Sequence, residues 1–411
     1  MNVPCRNCNA ELRHSFVDLG PSPLANSYVE PDRVLEAEPF YSLHAYVCDK
    51  CFLVQLPAVT KAETIFSDSY AYFSSYSDSV LAHSRDYVAM MMERFGYGGG
   101  HQVVELASND GYLLQYFKER GVPVLGVEPT GNTAEVAIAA GIPTRNVFFG
   151  VETAKALVAE GIRADLIIGN NVTAHVPDLH DFIGGQRILL KDDGVITLEF
   201  PHLKQMMDKN YFDMIYHEHF SYLSLYAIRD VFARNGLTVF DVDEIKPQGG
   251  SIRVYGRHDA DSSKPVSERV TRLIETELAD GVTSLDYYRR FAEQVYRSKR
   301  DLLRFLMEAK EAGKSVVGYG APAKGNTLLN FCGVRTDFID YTVDRNPNKQ
   351  NRLLPGTRIP VRGPEAILET RPDYVLILPW NIRDEVMSQM AEVRTWGGRF
   401  VVPLPEVAVL D

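Results

Sequence analysis

The sequence predicts an α/β protein in three parts: a small cysteine-bearing N-terminal domain, a central doubly wound domain and a smaller C-terminal α/β domain. Three observations carry that prediction. Four of the five cysteines form two CxxC pairs, strand and helix patterns alternate from Gln102 to Gly256, and a second alternation begins at Ser315. At 411 residues the chain has room for two or three domains. The expected divisions are 1–68, 69–260 and 261–411.

Apolar residues make up 45% of the chain and charged residues 24%, the balance of a water-soluble globular protein. No run of about 18 apolar residues occurs, so no membrane span is expected. The start, Met1 to Arg6, lacks the basic and then apolar pattern of a signal peptide. The net charge of −11 argues against a nucleic-acid partner, because phosphate backbones are bound by clustered Lys and Arg. The expectation is a cytoplasmic protein acting on small molecules. Its oligomeric state is left open, a monomer included.

Cys5-Arg6-Asn7-Cys8 and Cys48-Asp49-Lys50-Cys51 place four thiolates on two tight turns that can converge tetrahedrally on Zn²⁺. A redox dithiol needs only one such pair, so two in a cytoplasmic chain favour zinc. Four thiolates leave no open position, which makes this a structural metal that adds folding free energy to a thin-cored domain. The insert between the pairs is too long for a compact zinc ribbon and must carry its own structure. Cys332, in an apolar stretch, is expected in the core. Between Phe66 and Val80, hydroxyls and phenols without a period predict a loop running into a helix. Tyr70, Tyr72 and Tyr76 there are costly to expose and are expected to line a pocket or interface.

In the central part, Gln102 to Leu106 reads as a strand and Ala107-Ser108-Asn109-Asp110-Gly111 as a small-residue turn. Tyr112 to Arg120 follows as a helix, and Val124 to Val127 as a strand closed by Glu128. This βαβ unit has a phosphate- or ribose-sized turn, with an acid roughly 20 residues later that can hold both ribose hydroxyls. Ala164 to Asn171 and Gly194 to Pro201 are further strands, with a helix over Leu179 to Leu190. Leu237 to Val242 and Ser251 to Gly256 are joined by a loop too short for a parallel crossover, so they form an antiparallel pair. A doubly wound sheet ending in such a hairpin is similar to the class I methyltransferases, Rossmann-like domains that use S-adenosylmethionine. That likeness puts Glu105, Ala107, Asn109, Gly111, Glu128, Asn170 and Asn171 at the cofactor. Ala107 and Asn109 stand where the common E-x-G-x-G-x-G turn has glycine. On the turn alone a dinucleotide site stays open; the hairpin favours S-adenosylmethionine.

Between that sheet and its hairpin lies Tyr216-His217-Glu218-His219, followed by Phe220-Ser221-Tyr222. Two imidazoles, a carboxylate and two phenols are concentrated there. Histidine titrates near neutral pH and suits proton abstraction. The alternative is a polar helix start whose rings are satisfied by backbone. The run sits toward the carboxyl ends of the strands, where ligands of open α/β sheets bind. His175 follows another strand of that layer and faces the same pocket on this reading, or else caps a loop.

Val266 to Ala312 predicts long helices bridging to the last domain. Ser315 to Tyr319 reads as a strand, and Ala321-Pro322-Ala323-Lys324 opens a helix with proline in its first turn. Helix-start amides beside Lys324 make an anion site; a packing domain with tight glycine turns is the alternative. Phe338 to Val343, Tyr374 to Leu378 and Arg399 to Val402 are expected as strands. Asp344 closes the first of these, and Asn346 to Gln350 forms a polar loop carrying Lys349.

The order CxxC…CxxC, Tyr-x-Glu-His, Gly-Tyr-Gly-Ala-x-Ala-Lys resembles the nucleotide-deoxysugar (dTDP-sugar) C-methyltransferases. So do Tyr72-x-Ser-Ser, Asn171-x-x-x-His175-x-Pro177, Phe331-Cys332-Gly333, Asp344-x-x-Pro347-x-Lys349-Gln350-Asn351 and Trp380-Asn381. The resemblance implies an S-adenosylmethionine-dependent enzyme that methylates a ring carbon, most often C3, beside the C4 ketone of a nucleotide-linked deoxysugar. It makes His219 the base that generates an enolate, with Glu218 orienting a histidine or sugar hydroxyl. Tyr216 or Tyr222 would donate to the oxyanion, His175 would serve as second candidate, and Tyr72 joins the catalytic set. Tyr319, Lys324, Asn326, Asp344 and Lys349 would bind the nucleotide-sugar, with Lys324, Asn326 and Lys349 on its diphosphate. His217 has no assigned role. Methylation of a sugar oxygen or amine, or a nicotinamide-dependent sugar reaction at Gly318 to Gly320, are the rival enzyme readings. A zinc-finger nucleic-acid module is disfavoured by charge.

Overall fold

The computed structural model describes residues 3–59 and 72–411. Tyr70 and the start of the loop expected from Phe66 lie outside them. Among the described residues, three sheets are built, and no helix is long and apolar enough to cross a membrane.

The central sheet has seven strands in the order Leu237–Ile245, Ser251–His258, Leu190–Pro201, Ala164–Asn170, Val103–Leu106, Val124–Val127, Thr144–Arg145. The first two form the expected antiparallel hairpin, and Ser251–His258 also runs antiparallel to Leu190–Pro201. The other pairings are parallel. The buried strands are almost continuously apolar, as a sheet covered on both faces demands. The helix start at Asp78 is capped by the Ser77 hydroxyl, which accepts from the Val80 amide, and Asp178 caps Leu179–Leu189 through the amides of His180 and Asp181. The hairpin loop turns through Gln248, Gly249 and Gly250, all at positive φ. A Cβ on Gly249 would meet the Tyr211 ring at 2.5 Å and the Trp380 ring at 2.9 Å. Glycine is therefore required both by the backbone and by the close approach.

The C-terminal sheet has six strands in the order Val361–Arg362, Thr342–Val343, Val316–Tyr319, Tyr374–Ile377, Arg399–Val402, Ala408–Leu410, parallel except for the last pair. Two expectations are corrected here. The strand read over Phe338 to Val343 is only Thr342–Val343, because the amides of Phe338 and Ile339 are taken by a turn onto the Arg335 carbonyl. The bridging helices begin at Glu268, not Val266, and run as Glu268–Asp280 and Leu285–Glu311.

The N-terminal sheet has a feature that no local pattern announces. Its strands His14–Ser22, Tyr41–Val47 and Val54–Gln55 are completed by Ser221–Tyr222, the residues directly after His219. The insert between the cysteine pairs thus carries two of these strands. Its inner face packs on the long helix, with the Phe16 ring stacked on Phe291 at 4.7 Å and edge-on to Tyr288 at 6.1 Å. One hydrophobic cluster runs from these strands through residues 203–222 and the long helix into the C-terminal sheet, taking in Cys332. Glu277 of Glu268–Asp280 locks the seam: it accepts from the amides of Leu225 and Tyr226 at 2.8 and 2.7 Å, capping helix Leu225–Arg234 from outside, and lies 2.6 Å from His202 Nε2.

Phe16→Ala removes the ring that joins the N-terminal sheet to the long helix. A loss of about 3–5 kcal/mol is expected, read from the urea unfolding midpoint.

Candidate active site

Tyr216 to His219 is a turn, not a helix start: the His219 amide donates to the Tyr216 carbonyl at 2.9 Å. His219 Nδ1 lies 2.7 Å from the Met214 carbonyl. A carbonyl only accepts, so Nδ1 carries the proton and Nε2 carries the lone pair. The Phe220 amide donates to the Ala174 carbonyl at 2.7 Å, which draws the 173–175 turn alongside. The His175 ring then stands edge-on to His219 with centroids 4.6 Å apart, and the Tyr216 ring lies at 4.0 Å. Burial holds the His175 pKa down at about 4. Burial, then His175 and Lys324, hold that of His219 well below its ordinary value. Both rings are neutral at pH 7. Burial raises the pKa of Tyr216 and Tyr222 well above the ordinary phenol value, so both remain O–H donors. The Tyr222 hydroxyl is buried beside the Tyr216 backbone and has no hydrogen bond of standard geometry among the described residues. Glu218 Oε1 accepts from Asn26 Nδ2 at 2.6 Å. His217 turns the other way, onto the Ser42 carbonyl and the Tyr41 ring, in a packing role.

The C-terminal domain faces this turn with helix Ala323–Cys332. Thr327 donates to the Ile215 carbonyl at 3.1 Å, and Asn326 Nδ2 donates to the Ala25 carbonyl at 2.6 Å. Lys324 is buried; its ammonium donates to Asn381 Oδ1 at 2.6 Å and lies 4.5 Å over the Trp380 ring. Lys349 donates to the Ala321 carbonyl at 3.0 Å and is 3.6 Å from Asp344. Burial pulls its pKa down, but Tyr28 and Asp344 more than restore it, to about 12. Asp344 also accepts from the amides of Ala321 and Asn346. Tyr319 is a core residue whose hydroxyl donates to Gln389 at 3.0 Å. Tyr319, Asn326 and Asp344 are therefore engaged in holding loops together.

At the carboxyl end of Val103–Leu106, Ala107, Asn109 and Gly111 all take positive φ (54°, 50° and 80°). The turn keeps the backbone of a glycine-rich loop although two of its glycines are replaced. Asn tolerates that region; Ala does so only under strain. Glu128 Oε2 accepts from the Asn109 amide and Oε1 from the Thr130 amide, each at 2.8 Å, so part of its acceptor capacity stabilises the turn. Glu105 lies beneath it, fully buried, and burial raises its pKa well above the carboxylate range. Buried oxygens without partners, Asp110 Oδ1 and Asn170 Oδ1, together with left-handed Asn171, surround the turn. These acceptors and the buried, left-handed turn backbone fit S-adenosylmethionine. The segment from Tyr72 closes over it: Ser74 and Ser75 donate amides to Asn109 Oδ1 and Asp110 Oδ2, and Asn109 Nδ2 donates to the Tyr72 carbonyl. Tyr72 is 46% exposed and interacts electrostatically with Lys349 and Tyr216. Tyr76 is 57% exposed and stacked on Phe73.

The sulfurs of Cys5, Cys8, Cys48 and Cys51 lie within 4.8 Å of one another, with the closest pairs at 3.5 Å. That spacing fits tetrahedral Zn²⁺ with bonds of about 2.3 Å. Gln55 Nε2 donates to Cys5 Sγ at 3.1 Å. Arg6, inside the first CxxC, donates to the Pro177 carbonyl at 3.0 Å and lies 5.3 Å over the Phe220 ring. The metal knuckle therefore braces both histidine segments.

Arg6, Asn26, Tyr28 and Asp213 escaped the sequence reading. Their partners stand more than 150 residues away along the chain, except those of Arg6 at Gln55 and Leu56, and none lies in a local motif. Only the position of Arg6 between two ligands could have drawn notice.

Sheet, turn and terminal hairpin are those of an S-adenosylmethionine-dependent methyltransferase, and a "Methyltransferase domain" family model matches residues 78–242. A "Putative zinc binding domain" model matches 5–66 and a "C-methyltransferase C-terminal domain" model matches 246–405. The C-methyltransferase NovU of Streptomyces niveus is 35% identical over 407 residues, covering 99% of this chain and 96% of that one. The chain belongs to the C-methyltransferase family. Among solved structures, magnesium protoporphyrin IX methyltransferase (ChlM) of Synechocystis PCC 6803 with bound SAM is 15% identical, over 49% of this chain and 99% of its own, at a TM-score of 0.36. An S-adenosylmethionine-dependent methyltransferase from Mesorhizobium loti is 15% identical, over 43% of this chain and 100% of its own, at 0.35. The assignment rests on the family models and the NovU relative.

Two outcomes follow from this geometry. Cys48→Ser should lose zinc, measured as metal content, and destabilise the protein by at least about 3 kcal/mol, a fraction of the roughly 10–16 kcal/mol that zinc supplies to small zinc peptides. His175 stays neutral in the fold while the unfolded chain binds a proton below about pH 6.5, so its burial weakens folding as pH falls from 6.5 toward 4. About 2 kcal/mol should be lost between pH 7 and 5 in urea melts, and His175→Gln should remove that part of the slope.

Proposed function

We propose that the protein methylates a ring carbon, C3, of a nucleotide-linked 4-keto-deoxysugar, with His219 as the base. The observation that supports this most directly is the orientation of His219: Nδ1–H is held by the Met214 carbonyl, and Nε2 is a buried, neutral lone pair. A carbon beside a ketone becomes a nucleophile only by losing its proton. The C–H electron pair moves into the ring C–C bond, the carbonyl π pair moves onto oxygen, and the proton passes to Nε2. Neutral His175 leaves His219 free to take that charge. Tyr222 and Tyr216, kept protonated by burial, are the donors for the oxyanion. Glu218, steadied by Asn26, accepts from a sugar hydroxyl, and Tyr72 covers the cleft. S-adenosylmethionine, when bound, supplies an electrophilic methyl group. Lys349 provides cationic charge for the diphosphate. The name of the NovU relative, a C-methyltransferase, favours carbon over oxygen or nitrogen as the methyl acceptor.

The test is deuterium wash-in beside the ketone, with enzyme and a panel of nucleotide-4-ketosugars in D₂O. Wild type should exchange, and His219→Ala should reduce exchange and methyl transfer together by about 100-fold or more. Methyl transfer without exchange above the enzyme-free rate would sink the enolate step.

A further inference from the structure

The mechanism above leaves one buried charged group beside the base unused. Lys324 sits in the first turn of Ala323–Cys332, one turn before Thr327, whose hydroxyl touches the Ile215 carbonyl at the entrance to the 216–219 turn. Residues three apart share a helix face, so Lys324 continues the surface that meets that turn. Its flat support is Trp380, which stacks on Tyr211 at 3.7 Å and donates its indole N–H to Asp213 Oδ2 at 2.7 Å. Asp213 is fully buried, and among the described residues its Oδ1 has no hydrogen bond of standard geometry. It stands beside Met214, whose carbonyl orients His219. Solvent-exposed Asn381 covers the ammonium.

We propose that Lys324 is the counter-charge of the enolate oxygen, a catalytic residue and not a diphosphate ligand, and that Asp213, fixed through Trp380, is the positioning residue that keeps it charged. The assignment rests on the carbanion reading of the site. A diphosphate carries its charge permanently and is met by exposed, hydrated cations as readily as by buried ones. The enolate oxygen carries charge only after the proton has moved, and a desolvated cation on a rigid aromatic support stabilises such transient charge without reorganising. Asp213 and His219 are the titratable groups that face Lys324; Trp380 and Asn381 are uncharged. Burial lowers the Lys324 pKa and the Asp213 charge offsets part of that, leaving it at about 8, while burial raises that of Asp213 to about 6. Between these values both groups are charged.

Lys324→Met removes the charge and keeps the length. It should lower kcat and deuterium wash-in together by about 100-fold, with KM for the nucleotide-sugar little changed. A KM raised about tenfold or more, with kcat and wash-in retained, would overturn the proposal and return Lys324 to the diphosphate. Asp213→Asn still accepts from the Trp380 indole but loses its charge. The kcat/KM profile should fall on its alkaline side near pH 8 in wild type and at lower pH in this variant, since an unpaired Lys324 gives up its proton sooner. An unmoved limb would refute the role of Asp213, and this profile decides if Lys324→Met does not fold. Failure of the underlying reading looks different: wild type itself would methylate without wash-in.

Discussion

His219 is held between two anchors, and the rest of the molecule is arranged to keep both in place. Upstream, the Met214 carbonyl accepts from Nδ1 and settles which nitrogen is basic. Downstream, Ser221–Tyr222 is hydrogen-bonded into the N-terminal sheet against Val54–Gln55. A turn pinned upstream by the imidazole's own hydrogen bond and downstream by a backbone ladder has little room to relax when a proton arrives or leaves. That is the preorganisation the proposed carbon-acid step would require, because its barrier is dominated by charge that appears only during the reaction.

Seen this way, the zinc domain is the outer wall of the site. The metal knuckle fixes Cys48 and Cys51, which lead directly into Val54–Gln55, and Arg6 reaches across to the Pro177 carbonyl and the Phe220 ring. The domain's apolar face is buried against the long helix, so its folding is coupled to the C-terminal half through one continuous core. Metal, sheet and helix together convert folding free energy into the position of one imidazole.

The cofactor turn shows another way of meeting a geometric demand. Ala107 and Asn109 hold the left-handed backbone that glycine usually supplies, and Glu128, Ser74 and Ser75 surround them with hydrogen bonds. Strain of order 1–3 kcal/mol per residue persists only where neighbours over-determine the conformation. The contacts from the 72–76 segment do so, and they tie that segment to the shape of the turn.

Much of the fold was legible in the sequence because it is encoded locally. The two CxxC spacings, the apolar strands, the acid after Val127 and the short link between the hairpin strands each constrain a few neighbouring residues. Type and order of elements follow from such constraints. Weak two-residue strands such as Val361–Arg362 and Thr144–Arg145 did not show, because they exist only through pairing with partners. His219 and His175 were legible as candidates by residue type. Their juxtaposition, the tautomer of His219, the tether of Glu218 to Asn26 and the burial of Lys324 against Trp380 were decided by tertiary structure. The tautomer is set by a carbonyl only 5 residues away, while the others depend on groups brought together from distant parts of the chain, 192 residues apart for Asn26 and Glu218 and 57 for Lys324 and Asn381. Sequence by itself determined which chemical groups the protein carries and which elements bear them. Which nitrogen is basic, and how deeply Lys324 is buried, follow from desolvation and hydrogen bonding that exist only in the folded chain, where the N-terminal and C-terminal sheets close around one core.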